Sequence, residues 1–67
     1  MFFKITTAFH DKYTDETTFK TETTFTWAQA LGAFMIYVNE PDCTTCKVEN
    51  VNGNLVLFYD GVHYKES

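Results

Sequence analysis

The pairs Phe2/Phe3, Val56/Leu57 and Phe58/Tyr59 put large apolar side chains at neighbouring positions of segments that otherwise read as β-strands. Strand side chains alternate between the two faces of a sheet, so such pairs send bulk to both sides. A chain of 67 residues with one helical segment can cover only one of those sides. The other side is then left with exposed aromatics, which is the reason to expect a partner.

Periodicity divides the chain into elements. Phe3, Ile5, Thr7 and Phe9 alternate with Lys4, Thr6, Ala8 and His10, which predicts a strand over 2–9, and the polar run His10 to Asp15 predicts its turn. Thr17, Phe19, Thr21, Thr23 and Phe25 alternate with Thr18, Lys20, Glu22 and Thr24, a threonine-rich second strand of the same hairpin. Thr26 to Gln29 match a capping box, so a helix starts at Trp27. Trp27, Ala30, Leu31, Phe34, Met35 and Val38 form its core stripe, Gly32, Ala33 and Ile36 lie on the outward side, and Pro41 ends the helix near Asn39.

Asn52-Gly53 separates Lys47–Val51 from Asn54–Tyr59 and signals a two-residue type I′ hairpin, and Asp60-Gly61 repeats the device before Val62, His63, Tyr64 and Lys65. That register sends Cys46, Val48, Leu55, Leu57, Tyr59, Val62 and Tyr64 to the helix side. Lys47, Glu49, Val51, Val56, Phe58, His63 and Lys65 go to the other side. The expected fold is α+β, ββαβββ: one domain over 1–67, with one helix packed on one face of a mostly antiparallel sheet of four or five strands. In layout it resembles the immunoglobulin-binding domains of protein G and other β-grasp modules. That likeness is one of arrangement and implies no activity.

Composition narrows the function classes. Hydrophobic residues make up 45% of the chain and aromatics 18%, which excludes a disordered chain. The formal charge is −4, and all five basic residues are lysines spread along the sequence. Nucleic-acid binding is therefore disfavoured, because phosphate recognition draws on clustered basic groups. The longest apolar stretch, Ala30 to Val38, is shorter than the roughly 20 residues of a membrane span. The opening Met1 to Ile5 lacks the pattern of a secretory signal. A cytoplasmic protein with no membrane partner is expected.

Groups that could carry chemistry are sparse. Cys43-Thr44-Thr45-Cys46 is a CxxC without the second pair that tetrahedral zinc would need. It also follows the helix rather than opening it, which is the wrong side for a redox dithiol. Cys43 and Cys46 are the only metal candidates, and they read as a loop thiol and a small core residue. His10 beside Asp11, and His63 near Asp60 and Glu66, have no nucleophile to serve, since the one serine is Ser67. Neither catalysis nor a cofactor is expected. The nine acidic residues read as a scattered solvating surface, with local clusters at Asp11, Asp15 and Glu16 and at Glu40 and Asp42.

The resulting expectation is a small non-catalytic protein-binding module, an inhibitor or adaptor acting by steric occlusion. A phage or mobile-element product directed at a host enzyme or defence system is the type that base rate suggests. Its docking patch comprises Phe2, Lys4, Lys47, Glu49, Val51, Val56, Phe58, His63 and Lys65. Gly32, Ala33 and Ile36 form an alternative interface, where small residues permit close approach of another helix. The competing expectation is a homo-oligomer that buries the same open sheet face.

Overall fold

Both alternating segments form strands, and their turn is closed by one aspartate. A computed structural model of the chain describes residues 2–61. Strands β1 (Phe3–Asp11) and β2 (Glu16–Thr24) pair antiparallel from Phe3↔Thr24 to Asp11↔Glu16. At the turn Asp11 Oδ1 accepts from the amides of Tyr13 at 2.8 Å and Thr14 at 3.4 Å, while the Asp15 amide donates to the Asp11 carbonyl at 2.7 Å. Asp15 takes a left-handed φ of 61°, a conformation that aspartate tolerates better than most residues.

Helix α1 spans Trp27–Val38, and strands β3 (Cys43–Glu49) and β4 (Leu55–Asp60) follow it. The Thr26 hydroxyl accepts from the Gln29 amide at 3.1 Å, and the Gln29 side chain accepts from the Phe25 amide at 3.1 Å, so the expected cap is present. Sheet order is β2-β1-β3-β4, and every neighbouring pair is antiparallel. The fold is thus α+β, with one helix on an open four-stranded antiparallel sheet among the described residues. The expected strand over Val62–Lys65 lies outside them.

The core sits between α1 and the two central strands. Phe3, Ile5, Ala30, Cys43, Cys46 and Val48 are buried, and Phe9, Ala33, Phe34, Tyr37, Val38, Leu57 and Tyr59 pack against them. Two edge-to-face ring pairs pin the helix along β1: Trp27 on Phe3 at 5.6 Å and Tyr37 on Phe9 at 6.3 Å. They also correct the expected stripe. Turning Tyr37 inward rotates Leu31 and Met35 out to solvent and brings Ala33 in. Cys43, expected in a loop, opens β3 and is buried.

The helix does not reach fully over β2, and the sequence there is matched to that fact. Register with β1 puts Thr18, Lys20, Glu22 and Thr24 on the helix side. The Tyr37 hydroxyl donates to Glu22 Oε1 at 2.6 Å, and the Lys20 ammonium lies 5.0 Å from the Tyr37 ring centroid. Polar groups thus close the sheet where the apolar core runs out.

The β3–β4 hairpin departs from its expected turn. Gly53 donates to the Asn50 carbonyl at 3.0 Å and the Asn50 amide donates to Asn54 at 3.0 Å, with Gly53 at φ 80°. This is a three-residue loop closed by a left-handed glycine, not a two-residue type I′ turn. Asn50 Oδ1 holds it by accepting from the amides of Asn52 and Asn54, both at 3.0 Å. The loop draws Asn50 and Val51 out of the strand, so β3 ends at Glu49 rather than Val51. Glu49 then faces Leu55, and a bulge at Val56 brings Leu57 opposite Val48. The two irregularities cancel. From Val48 onward the faces are those that a two-residue turn would give, and only Leu55 changes side.

Two measurements check this description. Ile5→Val should lower the unfolding free energy in urea by about 0.5–1.5 kcal/mol, whereas Phe58→Ser on the opposite face should change it by less than about 0.5 kcal/mol. The Tyr37 phenol is raised above its usual value of 10.0, first by the hydrogen bond to Glu22 and then by burial. A raised folded-state value means stability that is complete below pH 10 and lost as pH climbs through the folded value. Alkaline titration of stability should show that loss, and Tyr37→Phe should remove it.

Candidate docking surface

Pairing across the sheet fixes which side chains share the uncovered face. One row is Phe19, Ala8, Thr45 and Asp60, the next is Thr21, Thr6, Lys47 and Phe58, and the third is Thr23, Lys4, Glu49 and Leu55. Phe19 is 73% exposed and Phe58 56%. They stand on the two outer strands, about 14 Å apart laterally at a usual inter-strand spacing. Between them lie the small residues Thr6, Ala8 and Thr45 and the long side chain of Lys47. Lys47 and Glu49 approach to 3.9 Å, a long, partly exposed pair of little energetic weight.

Several of the expected docking residues meet here. Lys4, Lys47, Glu49 and Phe58 lie on this face, and Phe2 and Val56 are exposed near its margin. Val51 belongs to the hairpin loop, so it borders the face rather than lining it. His63 and Lys65 lie outside the described residues. Phe19 and Leu55 were not in the expected patch. Phe19 was legible in principle: once Asp11 faces Glu16, each odd residue of β1 faces an even residue of β2, and Phe19 must point away from Phe3, Ile5 and Phe9. Leu55 needed the bulge.

The helix supplies a second uncovered surface. No residue from Trp27 to Val38 is charged. Leu31, Met35 and Ile36 are exposed, as is Phe25 just before the cap. A groove of about 530 Å³ runs between the end of β2 and α1, lined by Thr24, Phe25, Gln29, Gly32, Ala33 and Ile36 among others. Gly32 and Ile36 are therefore open, as expected for the alternative interface, whereas Ala33 is partly buried against the core. The Thr24 hydroxyl is buried without a hydrogen-bond partner among the described residues.

The thiols sit on the helix side, remote in character from either surface. Cys46 shares a 3.4 Å contact with the Thr7 hydroxyl, and burial pushes its thiol up from the usual value while that hydrogen bond opposes the shift. Cys43 Sγ donates to the Thr45 carbonyl at 3.6 Å. Both cysteines are buried, and neither is in a disulfide. Among the described residues no three His, Cys, Asp or Glu side chains are grouped to hold a metal ion.

The fold also gathers charges that the sequence had separated. The ends of β1, α1 and β4 and the starts of β2 and β3 all lie at one end of the sheet. There the His10 amide donates to the Asp42 carbonyl at 2.9 Å, and His10 Nε2 lies 3.1 Å from an Asp15 oxygen. Asp11, Asp15, Glu16, Glu40, Asp42 and Asp60 thus fringe this end, accompanied by Lys12. This corrects the reading of the acids as scattered. No protein-family model, curated protein or solved structure matches this chain. Among the described residues no helix is long and apolar enough to cross a membrane.

Thiol reactivity checks the placement of the cysteines. In the native protein at pH 8, both should react with an aromatic disulfide reagent at least about tenfold more slowly than in denaturant, because both thiols are buried and the Cys46 thiol is also held above its usual value.

Proposed function

We propose that this chain is a small non-catalytic protein-binding module, an inhibitor or adaptor that acts by covering the surface of a partner protein. The observation that carries this reading is the pair of exposed phenylalanines, Phe19 and Phe58, on the sheet face that α1 leaves uncovered. Aromatic anchors flanked by polar and charged residues are the usual composition of a recognition patch. A folded chain keeps such side chains in water at a free-energy cost that a partner removes. Two cysteines outside any disulfide suit a reducing compartment, which supports placing the module in the cytoplasm.

A second reading has its own support. The uncharged outer side of α1, with Met35 and Ile36 exposed beside Gly32, is suited to packing against the same helix of another copy. Homo-oligomerisation through that side would leave the sheet face available, so the two readings separate by substitution.

Sedimentation velocity and crosslinking in the source cell make the test. The expected result is a monomer at micromolar concentration that crosslinks to a discrete partner, with the crosslink lost in a Phe19→Ser, Phe58→Ser variant of unchanged melting temperature. A dimer dissolved by Ile36→Lys and indifferent to the phenylalanine changes would replace the first reading with the second. A monomer whose crosslinks survive the double substitution would remove the sheet face from consideration.

A further inference from the structure

We infer that the partner seated on the open sheet face is a basic protein surface, with apolar side chains on Phe19 and Phe58 and lysines or arginines against the acidic end of the sheet. This rests on the docking reading of that face. Its own argument is charge complementarity.

Among the described residues, six of the chain's nine acids stand at the strand tips with one lysine, a formal balance of −5 against −4 for the whole chain. The C-terminus of α1 points the same way, and its last turn carries no basic residue, so the negative end of the helix dipole adds to the carboxylates. Continuity with the aromatic face is direct. Asp60 is two residues from Phe58 on the same side of β4, and it shares a cross-sheet row with Phe19. Asp15 lies four residues before Phe19, roughly 13 Å at the rise of a strand. A surface that covers both phenylalanines therefore comes within reach of the acids.

The occupant's class follows from how the charges are spread. The carboxylates fringe the tips without converging, and no group of three among the described residues is placed to hold a metal ion, so a point cation gains little there. Spaced cations on a protein surface match the fringe. A nucleic acid brings the wrong sign. Among the described residues a second copy offers only separated cations: Lys47 lies 3.9 Å from Glu49, Lys20 lies over Tyr37, Lys12 stands in the acidic turn itself, and Lys4 stands apart from these.

Two synthetic amphipathic helical peptides of identical apolar face serve as probes, one with lysine and one with glutamate at every polar position, each titrated into the isotopically labelled full chain and followed by amide NMR shifts. The lysine peptide should move Ala8, Phe19 and Phe58 together with Asp11, Asp15 and Asp42. Its affinity should fall on the order of tenfold between about 20 and 300 mM salt, as screening shortens the reach of the acidic end. Asp11→Asn, Asp15→Asn, Glu16→Gln should weaken it by a similar factor without lowering the melting temperature, and the glutamate peptide should bind at least tenfold more weakly. Equal binding of both peptides to the phenylalanines overturns the basic partner and leaves the docking reading standing. Shifts confined to the carboxylates or to α1 overturn it as well, and so does a sheet face already occupied by a second copy in sedimentation. If neither peptide touches Phe19 or Phe58, the docking reading itself fails.

Discussion

The dimension on which the rest depends is the mismatch between one helix and four strands. A helix with its side chains is about 10 Å across, while four strands at normal spacing extend some 14 Å between the outer axes, with side chains beyond. Helix α1 is drawn onto β1 and β3, where Ile5, Cys46 and Val48 meet Ala30. Everything lateral to that contact has to be handled differently. On β2 the inner side is polar, with Glu22 and Lys20 gathered around Tyr37. On β4 the inner side is half-covered Leu57 and Tyr59.

The same mismatch explains why the outer phenylalanines face away from the helix. A large apolar residue at position 20 or 22 would stand on the helix side at the edge of the core, where α1 reaches incompletely. Phe19 is on the far side instead, separated from Phe58 by Thr6, Ala8, Thr45 and Lys47. Inward-facing charges on an edge strand also oppose its pairing with a foreign strand, because continuing the sheet there would have to accommodate Lys20 and Glu22. The protein thus restricts one route of association at β2 while leaving the broad face available.

Much of this was readable from residue order, and the parts that were not share a cause. Period-two alternation placed β1 and β2, and the capping box placed the start of α1, because each signal is local and its chemistry is specific. The stripe of α1 was displaced because Tyr37 is polar by composition, and its inward position depends on Phe9 and Glu22, both distant in sequence. The acids seemed dispersed because strand tips converge only once sheet order is known. Phe19 required the loop length between β1 and β2, and Leu55 required a bulge that no residue type announces. Local chemistry was legible; convergence through topology was not.

The paired irregularities of the β3–β4 hairpin bear on how this chain tolerates changes in length. A strand that slips by one residue normally exchanges its two sides, which would turn Leu57 and Tyr59 outward and Phe58 into the core. Here an extra loop residue beside Gly53 is offset by the extra residue at Val56, so phase is restored before the strand reaches the helix. The tip of the hairpin therefore works as an expansion joint. Loss of one residue from the loop with the bulge at Val56 kept would leave Leu57 opposite Val48, and this is where a descendant of the sequence can shorten without inverting its sheet.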